Sequence, residues 1–235
     1  MAEGVAERLR IVQEKIAEAS LKSQRSHDSV KLVAVTKTVS VDRIQEIYDL
    51  GYKCFGENKV QDYLDKKDHL PLDTVWNFIG RLQTNKVKYV IRSACAGQLS
   101  LFQSLDRVEL AAEIEKQALK HQLKRFPSLI QVNSSREQTK AGFLPEEVEG
   151  FVASLDKNSV IEVRGLMTIG PQTDNQEDTR RCFREVRELF ERLKHRFGQH
   201  PWDALSMGMS GDYETAIAEG STLVRIGSAI FGIRA

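Results

Sequence analysis

Lys37 stands at the end of a short apolar run at residues 32–36, and a polar turn follows it. A run rich in Leu and Val is typical of a strand that is buried on both faces. A side chain at the carboxyl end of such a strand emerges where parallel α/β proteins keep their sites. Burial favours the neutral form of a lysine, and a neutral amine can form a Schiff base with an aldehyde. The alternative interpretation is a surface lysine that simply ends a strand.

Small polar residues at two later points could hold a phosphate group. Ser210 precedes a predicted helix at 213–219, while Gly227 and Ser228 follow an apolar run at 223–226. Barrels of parallel strands often bind phosphate in the loops after strands 7 and 8, at a helix N-terminus. Ordinary helix capping is the alternative, because serine and glycine are common at helix starts. The occurrence of the pattern in two neighbouring loops favours phosphate binding.

Arg225 lies inside the apolar run at 223–226. A guanidinium inside a strand needs a partner because an unpaired buried charge is costly. The partner could be a structural carboxylate or a nitrogen atom of a ligand. A lysine for an aldehyde, two loops for a phosphate and an arginine for a ring nitrogen together fit pyridoxal 5′-phosphate (PLP), the cofactor form of vitamin B6.

The elements that must position these residues alternate between strand and helix. Helical periodicity predicts a first helix from Val5 to about Ser23, ahead of any strand. Eight short apolar runs follow, at 32–36, 53–56, 75–80, 98–105, 128–132, 161–168, 204–208 and 223–226. Helical patterns separate nearly all of them, most clearly at 107–121, 145–155 and 177–197.

Eight βα units in roughly 200 to 250 residues predict a (β/α)8 TIM barrel. We expect one domain over residues 1–235, with an extra helix before the first strand. An open doubly wound sheet is the alternative, although that fold usually has fewer strands and a Gly-rich nucleotide loop near the first one. No such loop follows Lys37.

The composition argues against several classes of protein. A net charge of +1 in 235 residues gives no electrostatic case for nucleic acid or an anionic membrane. The three cysteines are widely spaced and the five histidines form no close pair, so neither disulfides nor a metal site is expected. No apolar stretch is long enough to span a membrane, and the acidic start at 1–7 is unlike a signal peptide. We therefore expect a cytoplasmic protein, and the lack of a heptad repeat or a large apolar stripe favours a monomer.

Six segments resemble the motifs of the YggS/PROSC family of PLP homeostasis proteins. They are AVTK at 34–37, FGEN at 55–58, FIGRLQTNK at 78–86, GLMT at 165–168, LSMGMSGD at 205–212 and VRIGSAIFG at 224–232. The resemblance covers nearly the whole chain, and its last two motifs are highly specific. It implies the barrel fold of the N-terminal domain of alanine racemase.

The resemblance also implies roles for single residues. Lys37 would carry PLP as a Schiff base, and Arg225 would face the pyridine nitrogen. Asn58 would lie on the side of the ring hydroxyl. The phosphate would be held by Ser210, Gly227 and Ser228.

This chain departs from the family at one position. The family often has a histidine between the Trp and Phe of the third motif, where this chain has Asn77. An asparagine can form hydrogen bonds but cannot titrate. A role that needs a proton there is in doubt, whereas the PLP site itself is not.

Two functional hypotheses follow from the resemblance. One is a PLP-binding protein that buffers the cofactor or delivers it to PLP-dependent apoenzymes without robust turnover, and the other is a PLP-dependent amino-acid racemase. Racemases of this fold carry a second base on an additional β domain, and this chain ends at Ala235, soon after the last motif. An arginine beside the pyridine nitrogen disfavours protonation of that nitrogen, which makes the ring a weaker electron sink.

We therefore expect a homeostasis protein with no catalytic residue. A third hypothesis is an interaction protein whose barrel has lost its ligand. The presence of Lys37, Arg225 and Ser210 argues against it.

Overall fold

Eight parallel strands close into a barrel within residues 4–232, the part of the chain that the computed structural model describes. Each strand pairs with its neighbours in sequence, and the last pairs with the first. Strands β1 to β8 are Lys31–Val35, Cys54–Glu57, Val75–Phe78, Leu101–Leu105, Phe126–Val132, Ile161–Thr168, Ala204–Ser206 and Leu223–Ile226. The predicted (β/α)8 barrel is confirmed, and the open doubly wound alternative is wrong. The acidic start at 1–7 and the chain end at Ala235 fall partly or wholly outside the described residues.

Helices surround this barrel on the outside. Helices α1 to α9 are Val5–Lys22, Val41–Asp49, Val60–Lys67, Val87–Cys95, Val108–Lys120, Pro145–Ser154, Gln176–Arg196, Tyr213–Ala218 and Ser228–Phe231, with a 3-10 turn at Thr84–Lys86. The predicted extra helix is α1, which buries residues at helical spacing on the face that packs against α2, α8 and α9. It therefore covers the part of the wall where β8 meets β1.

Two predicted strands are shorter than their apolar runs because a glycine turns the backbone. Gly97 has a φ of +70°, so α4 ends in a turn, and β4 begins only at Leu101 rather than at residue 98. Gly208 has a φ of +95°, and the strand predicted at 204–208 ends at Ser206. A left-handed backbone of this kind departs from strand geometry and is tolerated best by glycine.

The apolar core lies between the strands and the helices. Trp76 and Phe78 of β3 and Phe102 of β4 are buried on the outer face of the barrel wall. The rings of Phe78 and Phe102 stack at a centroid distance of 6.0 Å. Successive strand residues point to opposite faces. The alternation leaves Asn77 of β3 and Gln103 of β4 inside the barrel, where both are buried. The barrel interior is thus partly polar although its wall is apolar outside.

Between residues 4 and 232, no helix combines the length and the apolar character needed to cross a membrane.

A glycine of β6 lies where the backbones of β6 and β7 come very close together. Gly165 has a φ of +149°, and a Cβ atom there would lie 1.8 Å from the carbonyl oxygen of Ala204 in β7. We expect Gly165→Ala to lower the free energy of unfolding by about 3 kcal/mol or more, because backbone strain and overpacking add. Urea unfolding followed by circular dichroism measures the change.

Gly150→Ala is the matched control for this substitution. Gly150 lies in α6, and a Cβ atom there meets nothing within 4 Å. The control should gain about 0.5–1 kcal/mol, since alanine favours a helix over glycine. Equal stabilities for the two variants would show that the wall at Gly165 can relax.

Candidate functional site

A cavity of about 1360 Å³ lies at the carboxyl ends of the strands. Most of its lining comes from the ends of seven of the eight described strands or from the loops that follow them, and helices α2 and α9 supply the rest. All six residues singled out from the sequence line it: Lys37, Asn58, Ser210, Arg225, Gly227 and Ser228. The structure therefore brings together side chains that are up to 191 positions apart in sequence (37 to 228).

Lys37 lies at the mouth of the cavity and is exposed. It is exposed because β1 ends at Val35 and Lys37 already belongs to the rim. Thr38, the next residue, has a φ of +62°, and its hydroxyl donates to the Lys37 carbonyl oxygen at 2.6 Å. A β-branched residue in the left-handed region is strained, and such strain is common at functional sites. The tight turn fixes the backbone on which the Lys37 amine is carried.

A buried ion pair lies directly behind this turn, and sequence reasoning missed it. Lys66 of α3 donates to a carboxylate oxygen of Glu57 at 2.5 Å and to the Thr36 carbonyl oxygen at 2.8 Å. The Thr36 hydroxyl reaches the same Glu57 oxygen at 2.7 Å, and the Asn58 backbone N–H reaches the other at 3.1 Å. The pair thus joins the ends of β1 and β2 just before Lys37 and Asn58. No signal in the sequence marked Lys66, because it sits in an ordinary amphipathic helix.

Arg225 is buried in β8 and faces the bottom of the cavity. It donates to the Ser206 hydroxyl oxygen at 2.5 Å and to the Thr168 carbonyl oxygen at 2.8 Å. Within the described part of the chain it forms no ion pair, so the structural carboxylate considered above is not found. Burial lowers the pKa of Arg225 to about 10, and the charge of Asp212 partly opposes this shift. The side chain is still a cation at neutral pH, and a guanidinium has five N–H donors, so it can also donate to a ligand.

The loops after β7 and β8 meet at the cavity through a hydrogen bond. The Ser210 hydroxyl oxygen accepts the backbone N–H of Ala229 in α9 at 3.3 Å. It does not cap α8, whose N-cap is Asp212, but it serves the first turn of α9 instead. Gly227 is the N-cap of α9, and a Cβ atom there would lie 3.2 Å from the Val35 carbonyl oxygen. This small residue thus lets the loop after β8 approach β1 closely.

Asn58 carries an unsatisfied atom in this cavity. Its side-chain oxygen is buried and has no hydrogen-bond partner among the described residues. An unpaired buried acceptor costs free energy, so a ligand that brings a donor would be favoured there. The ring hydroxyl of PLP is such a donor, and it is the group that the resemblance places beside Asn58.

The charge of the lining favours an anion. Five cationic side chains line the cavity, and no Asp or Glu among the described residues does: the cations are Lys37, Arg43, Arg81, Lys140 and Arg225. A second cavity of about 620 Å³ shares Asn58 and Arg81 with the first. Its described lining has no carboxylate either, and it adds the cations Lys59, Lys86 and Arg107. A site of one sign attracts ligands of the other sign, and PLP carries a phosphate.

Sequence reasoning found only part of this charge. Arg81 lies in a segment that resembles a family motif, but neither Arg81 nor Lys140 was assigned to the site. Arg43 lies in α2, where its spacing resembles that of any solvated helix residue, and it donates to the Phe231 carbonyl oxygen at 2.8 Å. Within residues 4–232, no three His, Cys, Asp or Glu side chains are grouped so that they could hold a metal ion.

Comparison with known proteins places this chain among relatives of one kind. The sequence model of the alanine racemase N-terminal domain family matches residues 13–235. The chain is 46% identical over 230 residues to the pyridoxal phosphate homeostasis protein of Aquifex aeolicus, with 97% of each chain covered. It is 38% identical over 229 residues to the protein of the same name from Haemophilus influenzae, covering 96% of this chain and 94% of that one.

Solved structures agree in fold. The structure of PipY from Synechococcus elongatus with PLP bound superposes with a TM-score of 0.79 at 32% identity, covering 97% of this chain and 100% of that one. The alanine racemase of Corynebacterium glutamicum superposes with a TM-score of 0.66 at 17% identity, covering 94% of this chain and 61% of the racemase. At that identity the second likeness shows the fold alone.

The Glu57–Lys66 pair gives a testable prediction about the site. We expect Lys66→Met to lower the free energy of unfolding by about 3–5 kcal/mol, because it leaves a buried carboxylate unpaired. Lys22→Met removes a lysine from an exposed pair with Glu18 and should leave stability nearly unchanged. Chemical denaturation of both variants measures the difference, and a Lys66→Met protein as stable as Lys22→Met would contradict a structural role for the pair.

Proposed function

Because this chain belongs to the alanine racemase N-terminal domain family, and within it to the pyridoxal phosphate homeostasis proteins, we propose that it binds PLP in the cavity at the barrel mouth and buffers or delivers it in the cell. One observation carries the proposal: all six expected PLP contacts line a single cavity whose described lining is cationic and free of carboxylates. The unpartnered Asn58 oxygen supports it, since PLP brings a hydroxyl donor.

Each residue of the proposed site has a task that its chemistry allows. The Lys37 amine, which is exposed at the rim, would hold the cofactor as a Schiff base. The phosphate would be held by Ser210, Gly227 and Ser228. The Arg225 guanidinium would donate to the pyridine nitrogen, and Asn58 would accept from the ring hydroxyl. Bound PLP supplies an electrophilic aldehyde and an electron-withdrawing ring.

Absence of robust turnover is part of the proposal. The described lining of the cavity contains no Asp, Glu, His, Tyr or Cys that could act as a general acid or base beside Lys37. The remaining candidate, Lys140, already donates to Glu137 at 2.6 Å and to the Gly170 carbonyl oxygen at 2.9 Å. Arg225 is a donor and disfavours a proton on the pyridine nitrogen, so the ring withdraws electrons less strongly.

We propose that the protein works as a cytoplasmic monomer, with residues 1–235 forming one PLP-binding domain. Its partners would be PLP and PLP-dependent apoenzymes, and not nucleic acid, a membrane or a metal ion. The closed barrel supports a single domain, since its first and last strands pair. Among the described residues, the most exposed large apolar side chains are Leu72, in the turn before β3, and Leu119 of α5, and their separate locations support a monomer.

The cofactor and the lysine can be tested together. Purified protein mixed with PLP should show the visible absorption of a PLP Schiff base, and borohydride should remove this band and fix the cofactor to Lys37 in a peptide map. Lys37→Ala should lose the band and the labelled peptide. Lys59→Ala removes a neighbouring exposed lysine and should keep both.

Two outcomes would contradict this assignment. One is a wild-type protein that takes up no PLP. The other is a Lys37→Ala protein that gives the same band and the same degree of labelling as wild type, at a different lysine.

The absence of turnover has its own test. We expect the PLP-loaded protein to give less than one turnover with a panel of L- and D-amino acids over hours, because the described lining of the cavity has no Asp, Glu, His, Tyr or Cys beside Lys37. Chiral chromatography of each amino acid measures racemisation. Many turnovers on any amino acid would favour the racemase hypothesis instead.

A further inference from the structure

A chain of hydrogen bonds crosses the inside of the barrel from Arg225. The Ser206 hydroxyl of β7 accepts from Arg225 at 2.5 Å and donates to the side-chain oxygen of Gln103 in β4 at 2.8 Å. The Gln103 amide then donates to the side-chain oxygen of Asn77 in β3 at 2.9 Å. The Asn77 amide donates to the Phe55 carbonyl oxygen of β2 at 3.3 Å. The chain of hydrogen bonds thus links five strands, β8, β7, β4, β3 and β2.

These side chains are deeply buried and do not line the cavity, except for Arg225. Gln103 and Ser206 have 0% of their surface exposed and Asn77 has 3%. Buried polar groups of this kind are costly unless every one of them is paired. Here each link is paired, so the network is held in one arrangement.

The direction of every bond in the chain is fixed from both ends. A carbonyl oxygen can only accept, so the Asn77 amide must face Phe55 and its oxygen must face Gln103. The Gln103 oxygen must then face Ser206, and the Ser206 proton must point to it. The free lone pair of Ser206 is left for Arg225, whose guanidinium can only donate. Donor and acceptor ends therefore match without any group that titrates near neutral pH.

We propose that Asn77, Gln103 and Ser206 are positioning residues that aim the Arg225 guanidinium at the ring nitrogen of the cofactor. The inference rests on the proposed function, because Arg225 acts there on PLP. Ser206 takes one N–H of Arg225 and the Thr168 carbonyl takes another. The remaining donors are thereby turned toward the cavity that Arg225 lines.

Asn77 gains a task that its lack of a titratable group suits. A histidine at this position could exchange donor and acceptor roles on gaining or losing a proton. Such a change would reverse the hydrogen bond between residue 77 and Gln103. Asparagine keeps the same donor and acceptor at all pH values near neutral. The orientation of Arg225 therefore does not depend on protonation of residue 77, three hydrogen bonds away.

The test compares variants at the two ends of the hydrogen-bond chain, Ser206 next to Arg225 and Asn77 farthest from it. We expect Ser206→Ala to weaken PLP binding about tenfold, as expected for losing a hydrogen bond to a charged group, and to shift the visible band of the bound cofactor. Asn77→Leu, which does not touch Arg225, should shift the band in the same direction with a loss of a few-fold. The double variant should be no weaker than Ser206→Ala, because the chain is already broken.

Ser128→Ala and Ser206→Thr are the controls. Ser128 is equally buried in β5, but its hydroxyl donates within its own strand to the Phe126 carbonyl oxygen, so Ser128→Ala should keep the wild-type band and affinity. Ser206→Thr keeps a hydroxyl and should restore both. If Asn77→Leu does not fold, Gln103→Met breaks the same chain with little change in volume.

The outcomes separate this inference from the proposed function. Affinity and band equal to those of Ser128→Ala in both single variants would overturn the positioning role, as would losses that simply add in the double variant. A wild-type protein that takes up no PLP would contradict the proposed function itself. Spectral titration with PLP gives affinity and band position in one measurement.

Discussion

The pairing of β8 with β1 is the contact on which the site depends. Val33 lies opposite Arg225 and Ala34 opposite Ile226, so closing the barrel sets Gly227 and Ser228 beside the turn that carries Lys37. A parallel closed barrel also sends every carboxyl strand end to the same rim. An open sheet would leave these two strands at opposite edges. Closure of the barrel therefore brings residues from the two ends of the sequence next to each other. Helix α1 covers the contact between β8 and β1 on the outside.

The site combines two buried charges that the protein manages differently. Lys66 is neutralised by Glu57 at 2.5 Å, and the pair is used to tie two strand ends together. Arg225 is given only neutral oxygen partners, so its positive charge remains available to a ligand. The rim adds further cations without carboxylates in its described lining. The buried Lys66 is thus paired with a carboxylate, whereas Arg225 and the cations at the rim of the cavity are left to attract an anionic ligand.

The sequence allowed the fold and the first layer of the site to be predicted, because both depend on local order along the chain. Strand ends are marked by where an apolar run stops, and Lys37, Gly227 and Ser228 follow directly from that. Lys66 and Gln103 could not be found in this way, since their roles depend on which distant residue they meet across the barrel wall. The exposure of Lys37 could not be predicted for a related reason: whether a residue just past a strand is covered depends on neighbouring loops, not on the strand.

The Glu57–Lys66 pair gives the rim a distinct response to heat. Removing charged groups from water costs less free energy as temperature rises, whereas hydrophobic stabilisation per unit of buried area levels off. The Glu57–Lys66 pair connects the ends of β1 and β2. Its contribution to stability therefore weakens less on warming than that of the apolar packing between the strands and helices around it. The rim segments that carry Lys37 and Asn58 therefore depend on a contact whose desolvation cost falls on warming.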